Sequence, residues 1–332
     1  MVRCAEVCNK AALIASDCGL PDLALTLCWR QYDVFDHARP LPATAATLAL
    51  QPLLNLPRQM IRQGQGHQAH ALFEELYQAA RDRTDAVIVG RSVNLRDLIS
   101  ASDDHKTICT MVWAALLADG TRALALAGRW REAADQAAAH RGVGTRLLDG
   151  RQAAVLALVQ EGQADHAAVL IEQSAVTQPW EQAVQSLLRV LCQRSAGADS
   201  EHEVTAMLTA ALALTEVPDP SLTVFRTRVG MTALDLADGH ADPQRQLLGS
   251  ALIEAARQDA HAARDVLAHP QLDPVMTASQ RRDLNGLVHT SGLGIGTIHD
   301  ALYDDLIATV ASAEQQLREL VTRRHDTGVA LK

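Results

Sequence analysis

Three short stretches of this sequence have residue types and spacings that could bind a metal ion or a phosphate group. His202-Glu203 begins like the helix of a zinc protease, but Ala206 stands where the second histidine ligand is needed. The run Gly292-Leu-Gly-Ile-Gly296 precedes a predicted helix, yet no strand leads into it and no Gly-Lys-Ser/Thr follows. Cys4 and Cys8 lie one helical turn apart, without a second Cys or His pair at ligand spacing. We therefore predict no metal and no nucleotide cofactor, a helix-to-helix turn at the glycine run, and core packing for both cysteines.

The composition favours a folded helical chain and argues against a nucleic-acid partner. Of the 332 residues, 48% are hydrophobic and 21% are charged, as in globular proteins. Aromatic residues make up only 3%, so small residues such as alanine must supply much of the core. A net charge of −9 without a long basic run does not suit phosphate binding. Since no membrane span or signal peptide is evident, we expect a cytoplasmic protein with reduced cysteines.

The elements that would position any site follow a repeated pattern of helical hairpins. Gly128-Arg-Trp-Arg-Glu-Ala133 lies between two apolar runs, and Gly162-Gln-Ala-Asp-His-Ala167 lies the same way 34 residues later. The same Gly-x4-Ala spacing occurs from Gly19 to Ala24 and from Gly64 to Ala69. We expect each glycine to end a first helix in the left-handed conformation, and each alanine to let the second helix approach closely.

This period and the Gly-x4-Ala signature resemble tetratricopeptide repeats. The resemblance implies an all-α fold, a right-handed superhelical α-solenoid of roughly seven or more helical hairpins. Residues 1–332 would form a single helical-repeat domain. Its predicted segments are N-terminal hairpins at 1–81, an insertion at 82–103, the best-formed repeats at 104–180, degenerate repeats at 181–290 and a long C-terminal helix at 297–325.

The helical period fails in the segment 82–103. Ala86-Val-Ile-Val89 and Val93-Asn-Leu95 are β-prone runs on either side of Gly90-Arg-Ser92, which predicts a small β-hairpin. Such a hairpin either covers an exposed helix end or forms a lid over a groove.

The terminal segment is predicted to be a long amphipathic helix. Thr297 and Asp300 suit a capping box at its start, and the apolar spacing continues to about Arg324. The helix either closes the open end of the array or supplies a dimer seam, which leaves a monomer or a homodimer as alternatives.

In tetratricopeptide repeats the first helix of each hairpin lines the inner wall. Phasing this chain on its four glycine signatures places seven polar residues on that wall, namely Asn9, Gln51, Arg58, Arg62, Arg122, Asp149 and Gln152. Guanidinium groups pair bidentately with carboxylates, so the resemblance implies a module that binds a peptide or protein partner through an acidic or C-terminal segment. The alternative is that the arginines bridge neighbouring helices.

A second resemblance concerns Asp103-Asp-His-Lys-Thr107 and Arg141-Gly-Val-Gly-Thr-Arg-Leu-Leu-Asp-Gly-Arg151. These stretches look like a stand-alone helical-repeat family of high-GC bacteria, and the chain is similar in length and helical content to the cyclase component of class V lanthipeptide systems. That resemblance would imply addition of a peptide cysteine thiol to a dehydrated serine or threonine, with a base for the thiol and cationic stabilisation of the enolate. The candidate catalytic residues are then Asp104, His105, Lys106, Arg146, Asp149 and Arg151.

Free-thiol counting separates the two functions. A cyclase should consume the thiols of a dehydrated, cysteine-containing precursor peptide faster than the uncatalysed reaction, and either His105→Ala or Arg146→Ala should abolish the gain, whereas a chelator should not. Tight peptide binding without thiol loss would leave only the binding module.

Overall fold

The computed structural model describes residues 1–99 and 102–329 of the protein. The described chain is mostly helical and contains one antiparallel two-stranded sheet, so an all-α fold with a small β-hairpin is confirmed. It divides into two compact units. Unit 1 holds Met1–His140 and the segment that begins at Gly294, and unit 2 holds Arg141–Leu293. This division does not test the prediction of a single helical-repeat domain.

Unit 1 begins with helical hairpins. Their first helices are α1 (Val2–Asp17), α3 (Ala43–Arg62) and a continuous helix made of α5 (Ser102–Ala115), a π-turn (Leu116–Gly120) and α6 (Thr121–Leu126). Their second helices are α2 (Pro21–Asp36), α4 (Gly66–Asp82) and α7 (Trp130–Ala139). Because α1 contacts α3 and α3 contacts α5, the first helices form one layer of the unit.

Unit 2 continues with paired helices. They are α8 (Asp149–Gln160), α9 (Ala164–Glu172), α10 (Pro179–Ser195), α11 (Glu201–Thr215), α12 (Thr223–Leu236), α13 (Pro243–Ala256), α14 (Ala260–Ala268) and α15 (Ala278–Thr290), with a 3-10 turn at Pro220–Leu222. Residues 247–268 keep an apolar helical period, but they are divided between α13 and α14. The break arises because the Asp259 side chain accepts a hydrogen bond from the Ala262 N–H and so starts a new helix.

The Gly-x4-Ala signature has the geometry expected from the sequence. All four glycines, Gly19, Gly64, Gly128 and Gly162, have a positive φ between 72° and 79°. All four matching alanines, Ala24, Ala69, Ala133 and Ala167, are 0% exposed. A left-handed residue reverses the chain after each first helix, and a methyl group is all that fits between the paired helices.

The predicted β-hairpin is present as β1 (Asp85–Ile88) and β2 (Arg91–Asn94), paired in antiparallel register. Val89 and Gly90 both have positive φ, which suits the right-handed twist of a two-residue hairpin turn. Ile88 and Val93 are fully buried in the core of unit 1. Since β1 contacts α4, the hairpin packs its apolar face on that helix.

Arg91 connects the hairpin to α2 by two side-chain contacts. Its guanidinium lies 4.7 Å from the centre of the Trp29 ring and forms an ion pair with Asp33. On the other strand, the Val87 N–H donates to Glu75 Oε1 at 2.6 Å, which occupies a backbone donor at the edge of β1.

The terminal helix α16 (Asp300–Val329) packs within unit 1 on α1 and α2. The predicted capping box is wrong, because the helix begins at Asp300 and Thr297 lies before it. The apolar face is correct for its middle and C-terminal turns, where Val310, Ala313 and Leu317 are buried. The glycine run precedes α16 as a turn between helices.

One helix among the described residues, Asp104–Leu126, is long and apolar enough to cross a membrane by length and composition. This corrects the expectation that no segment reaches that length. The observation is weak evidence for a membrane role, because the core helix of a water-soluble fold passes the same test, and 44% of its most apolar stretch is buried inside the protein.

Enlarging a buried alanine should separate a helix pair. Ala167→Leu adds a branched side chain to a site with 0% exposure, so we expect it to lower the free energy of unfolding by about 1 to 3 kcal/mol. Ala168→Leu on the exposed neighbouring position should change it by less than about 0.5 kcal/mol. Urea denaturation followed by circular dichroism measures both, and equal midpoints for the two variants would contradict this packing.

Candidate functional site

Most of the polar residues predicted for the inner wall meet in unit 1, on the layer of first helices. Asn9 lies on α1, Arg58 and Arg62 lie on α3, and Arg122 lies on α6. We call this surface the polar face; it comprises Asn9, Asn55, Arg58, Arg62, Asp119 and Arg122. Because each residue comes from a first helix, the layer of hairpins is what brings them together.

Asp119 is the centre of the polar face. Arg58 donates to Asp119 Oδ2 through Nε at 2.8 Å and through Nη2 at 2.7 Å. Arg122 Nη1 lies 3.5 Å from Asp119 Oδ1. Arg58 Nη1 also donates to Asn55 Oδ1 at 3.0 Å, and Asn55 in turn donates to Asn9. Three helices are therefore connected through one carboxylate and two amides.

Arg62 makes a second connection at the C-terminal end of the same helices. Its Nη1 donates to Asp17 Oδ1 at 2.7 Å and to Ser16 Oγ at 2.8 Å. The Ser16 hydroxyl donates to Gln59 on α3. The predicted alternative, arginines that bridge neighbouring helices, therefore describes contacts that Arg58 and Arg62 make.

The solvent exposure of the arginine side chains limits how much these ion pairs stabilise the fold. The side chains of Arg58, Arg62 and Arg122 are 43%, 44% and 55% exposed. Ion pairs with this much solvent contact contribute about 0 to 1 kcal/mol each. The fold therefore does not depend strongly on them, and an arginine can exchange one carboxylate partner for another at small cost.

The π-turn that carries Asp119 packs against His70 of α4. His70 is buried, and its Nδ1 lies 3.3 Å from the carbonyl oxygen of Gly120. A Cβ at position 120 would stand 3.0 Å from Leu116 and 3.3 Å from His70, so only glycine fits without a shift. A side chain inserted beside the helical ladder is a known cause of such irregular turns. Burial lowers the pKa of His70, which favours the neutral ring against this carbonyl.

The remaining residues predicted for the inner wall have separate surroundings. Gln51 is half-buried on α3, one turn before Asn55. Asp149 and Gln152 belong to unit 2, in the first turn of α8. Gln152 Nε2 donates to the Leu147 carbonyl at 2.7 Å, a contact that stabilises the start of its own helix.

In unit 2, Arg146 and Arg151 hold the segment before α8 in place. Arg151 is buried and donates to Ser174 Oγ, to the Gly144 carbonyl and to the Leu170 carbonyl at 2.7 to 2.8 Å. Its burial lowers the pKa of the guanidinium. Arg146 Nε lies 2.7 Å from Glu181 Oε1. Arg146 and Arg151, two of the candidate catalytic residues of the cyclase hypothesis, therefore have structural partners.

Glu181 is a fully buried carboxylate with four hydrogen-bond donors. Besides Arg146, the Thr177 N–H and hydroxyl donate at 2.8 Å and the Gln178 N–H donates at 3.0 Å, which caps α10. Burial alone would raise the pKa of Glu181, but these donors lower it to about 2. The group is therefore charged at neutral pH and orders the start of α10.

The other cyclase candidates lie on the first turn of α5 in unit 1. His105 Nε2 is 2.8 Å from the Ala80 carbonyl at the end of α4, and 3.3 Å from Cys109 Sγ. Asp104 is half-buried and Lys106 is exposed. Burial raises the pKa of the Cys109 thiol, so this Cys–His contact does not supply a thiolate at neutral pH.

Asn55 and Asp119 were missed by the sequence reasoning. Asn55 had a readable signal, because it stands three residues before Arg58 and so shares its helical face. Asp119 stands three residues before Arg122, but its contact with Arg58 joins residues on two different helices, which a local sequence pattern does not reveal.

Among residues 1–99 and 102–329, no group of three or more His, Cys, Asp or Glu side chains has the placement of a metal site. Models of known protein families, characterised proteins and solved structures were compared with the chain, and none of them matches it. The tetratricopeptide and cyclase resemblances therefore stay sequence-level hypotheses.

Removing the Glu181 charge should destabilise unit 2 and change its acid response. We expect Glu181→Gln to lower the free energy of unfolding at pH 7 by about 1 to 3 kcal/mol, because Arg146 and the cap donors lose a charged acceptor. Since the folded pKa is about 2 against an ordinary value of 4.5, this stabilisation is complete above pH 4.5 and is lost as the pH falls through about 2.

Denaturant titrations at several pH values measure this effect. Glu172→Gln is the matched control, because Glu172 pairs with Arg189 on the surface with a side chain that is 60% exposed. An acid response of Glu181→Gln identical to that of the wild type would overturn the assignment.

Proposed function

We propose that the polar face of unit 1 binds a peptide or protein segment that carries acidic side chains or a free C-terminal carboxylate. The observation that supports this is the convergence of Arg58, Arg62 and Arg122 on one layer of helices. Guanidinium groups that remain near half exposed can donate to a new carboxylate. Helical layers of this kind offer an extended surface to a peptide.

The local charge favours an anionic partner. The three arginines of the polar face form ion pairs with two carboxylates, Asp119 and Asp17. The charges of these five side chains therefore sum to +1. The whole chain has a net charge of −9. The half-exposed guanidinium groups attract an acidic segment at short range. The net negative charge of the chain opposes this only weakly, because charges farther than about 10 Å are screened.

The amides extend the recognition surface. Asn9 and Asn55 lie beside Arg58 and can pair with the main chain of a peptide, since an amide side chain both donates and accepts. The proposal therefore combines carboxylate recognition by arginine with backbone recognition by asparagine. We further propose that the hairpins stack as a right-handed, tetratricopeptide-like solenoid, supported by the repeated left-handed glycines and buried alanines.

Replacing the three arginines should weaken binding and leave the fold intact. We expect Arg58→Ala, Arg62→Ala and Arg122→Ala together to reduce affinity for a glutamate-rich peptide with a free C-terminus by at least about tenfold. The salt dependence of binding should become shallower, because fewer charged contacts remain. Fluorescence anisotropy at low and high salt measures both effects.

A charge-matched control comes from arginines outside the polar face. Arg81, Arg131 and Arg323 are exposed and each pairs with a carboxylate of its own helix. Their triple alanine variant loses the same charge and should bind like the wild type. Equal affinity and equal salt dependence in the polar-face variant and this control would refute the assignment of the face.

A further inference from the structure

We infer that Asp119 is an internal competitor for the peptide carboxylate and thereby sets the affinity and specificity of the polar face. The inference rests on the proposed function. It adds a specificity-determining residue that no sequence pattern singled out. Its basis is the geometry of one carboxylate between two arginines, presented by an irregular turn of the helix.

Contacts with α4 surround the π-turn. It interrupts an otherwise continuous helix between α5 and α6 at Leu116–Gly120, and His70 and the absence of a side chain at Gly120 define it from the α4 side. A wider turn shifts the residues that follow it around the helix axis relative to a regular α-helix. Asp119 lies inside this turn and its side chain is only 15% exposed.

Asp119 occupies the donors that a ligand would use. Arg58 Nε and Nη2 form one edge of the guanidinium, the edge that pairs with carboxylates, and both donate to Asp119 Oδ2. Nη1 donates one of its two N–H groups to Asn55, so the edge that suits a carboxylate is occupied and only single N–H groups on Nη1 and Nη2 remain. An incoming carboxylate must therefore displace Asp119 from Arg58 or bind next to a second negative charge.

Two consequences follow for binding. Asp119→Asn keeps the shape of the side chain and removes its charge, so an acidic peptide should bind about tenfold more tightly. A peptide in which glutamine replaces glutamate and the C-terminus is amidated should bind with unchanged affinity, because it carries no charge to compete. The ratio of the two affinities therefore reports the role of Asp119.

The experiment compares wild type, Asp119→Asn, Asp135→Asn and the triple arginine variant. Asp135 is the matched control, because it pairs with Arg131 on α7 and its side chain is 63% exposed. The probes are a fluorescein-labelled glutamate-rich peptide with a free C-terminus and its neutral, amidated counterpart. Circular dichroism melts check that each variant is folded.

A second readout needs no peptide. Phenylglyoxal reacts with accessible guanidinium groups, and mass spectrometry of proteolytic fragments gives the rate at Arg58. If Asp119 occupies Arg58, that rate should rise in Asp119→Asn and stay at the wild-type value in Asp135→Asn.

Tighter binding of the acidic peptide by Asp119→Asn alone, with a faster reaction at Arg58, supports the inference; so does binding that becomes detectable only in that variant. If Asp119→Asn binds no more tightly while the triple arginine variant loses binding, the inference is overturned and the proposed function stands. If the acidic peptide binds to none of the folded proteins, both are overturned.

Discussion

The close approach of paired helices at alanine is the contact on which the rest of this structure depends. Aromatic residues are scarce in the chain, so large side chains cannot fill the space between helices. Ala24, Ala69, Ala133 and Ala167 are instead fully buried where second helices cross first helices. The pairing fixes each first helix against its second helix, and the hydrogen bonds of the polar face then join the first helices α1 and α3 to the π-turn after α5.

The segment after Gly294 completes unit 1 by a different interaction. Gly294 and Gly296 donate their N–H groups to the carbonyls of Asp17 and Cys18 at 2.7 Å, which satisfies acceptors at the end of α1. Farther along, Glu314 of α16 is buried and paired with both Nε and Nη2 of Arg30. The glycine run thus has a structural role, because Gly294 and Gly296 have φ values of 73° and 75°, which other residues rarely adopt. A Cβ at Gly19 would stand 3.3 Å from Gly296 N, so the backbones approach closely at that glycine.

The polar face and the segment before α8 show two uses of arginine. Arg151 is buried and donates to neutral acceptors, so its partners are fixed by the fold. Arg58 and Arg62 are near half exposed and pair with single carboxylates, so their partners can change. Exposure separates the two, because solvent weakens an ion pair and lowers the cost of exchanging its partner. That difference favours the polar face over Arg151 as a binding surface. Arg146 is also 44% exposed, but its partner Glu181 is fully buried and holds it by a contact shielded from solvent.

The sequence by itself determined the helical class, the positions of the hairpin turns, the β-hairpin to within two residues and the helices that carry Asn9, Arg58, Arg62 and Arg122. These features follow from local periodicity and from the backbone freedom of glycine. The tertiary structure alone decided which carboxylates the arginines meet, the placement of α16 on α1 and α2, and the π-turn at Leu116–Gly120. Those outcomes depend on contacts between residues far apart in the chain, such as His70 with Gly120, and a local pattern carries no information about which distant side chain fills a given space.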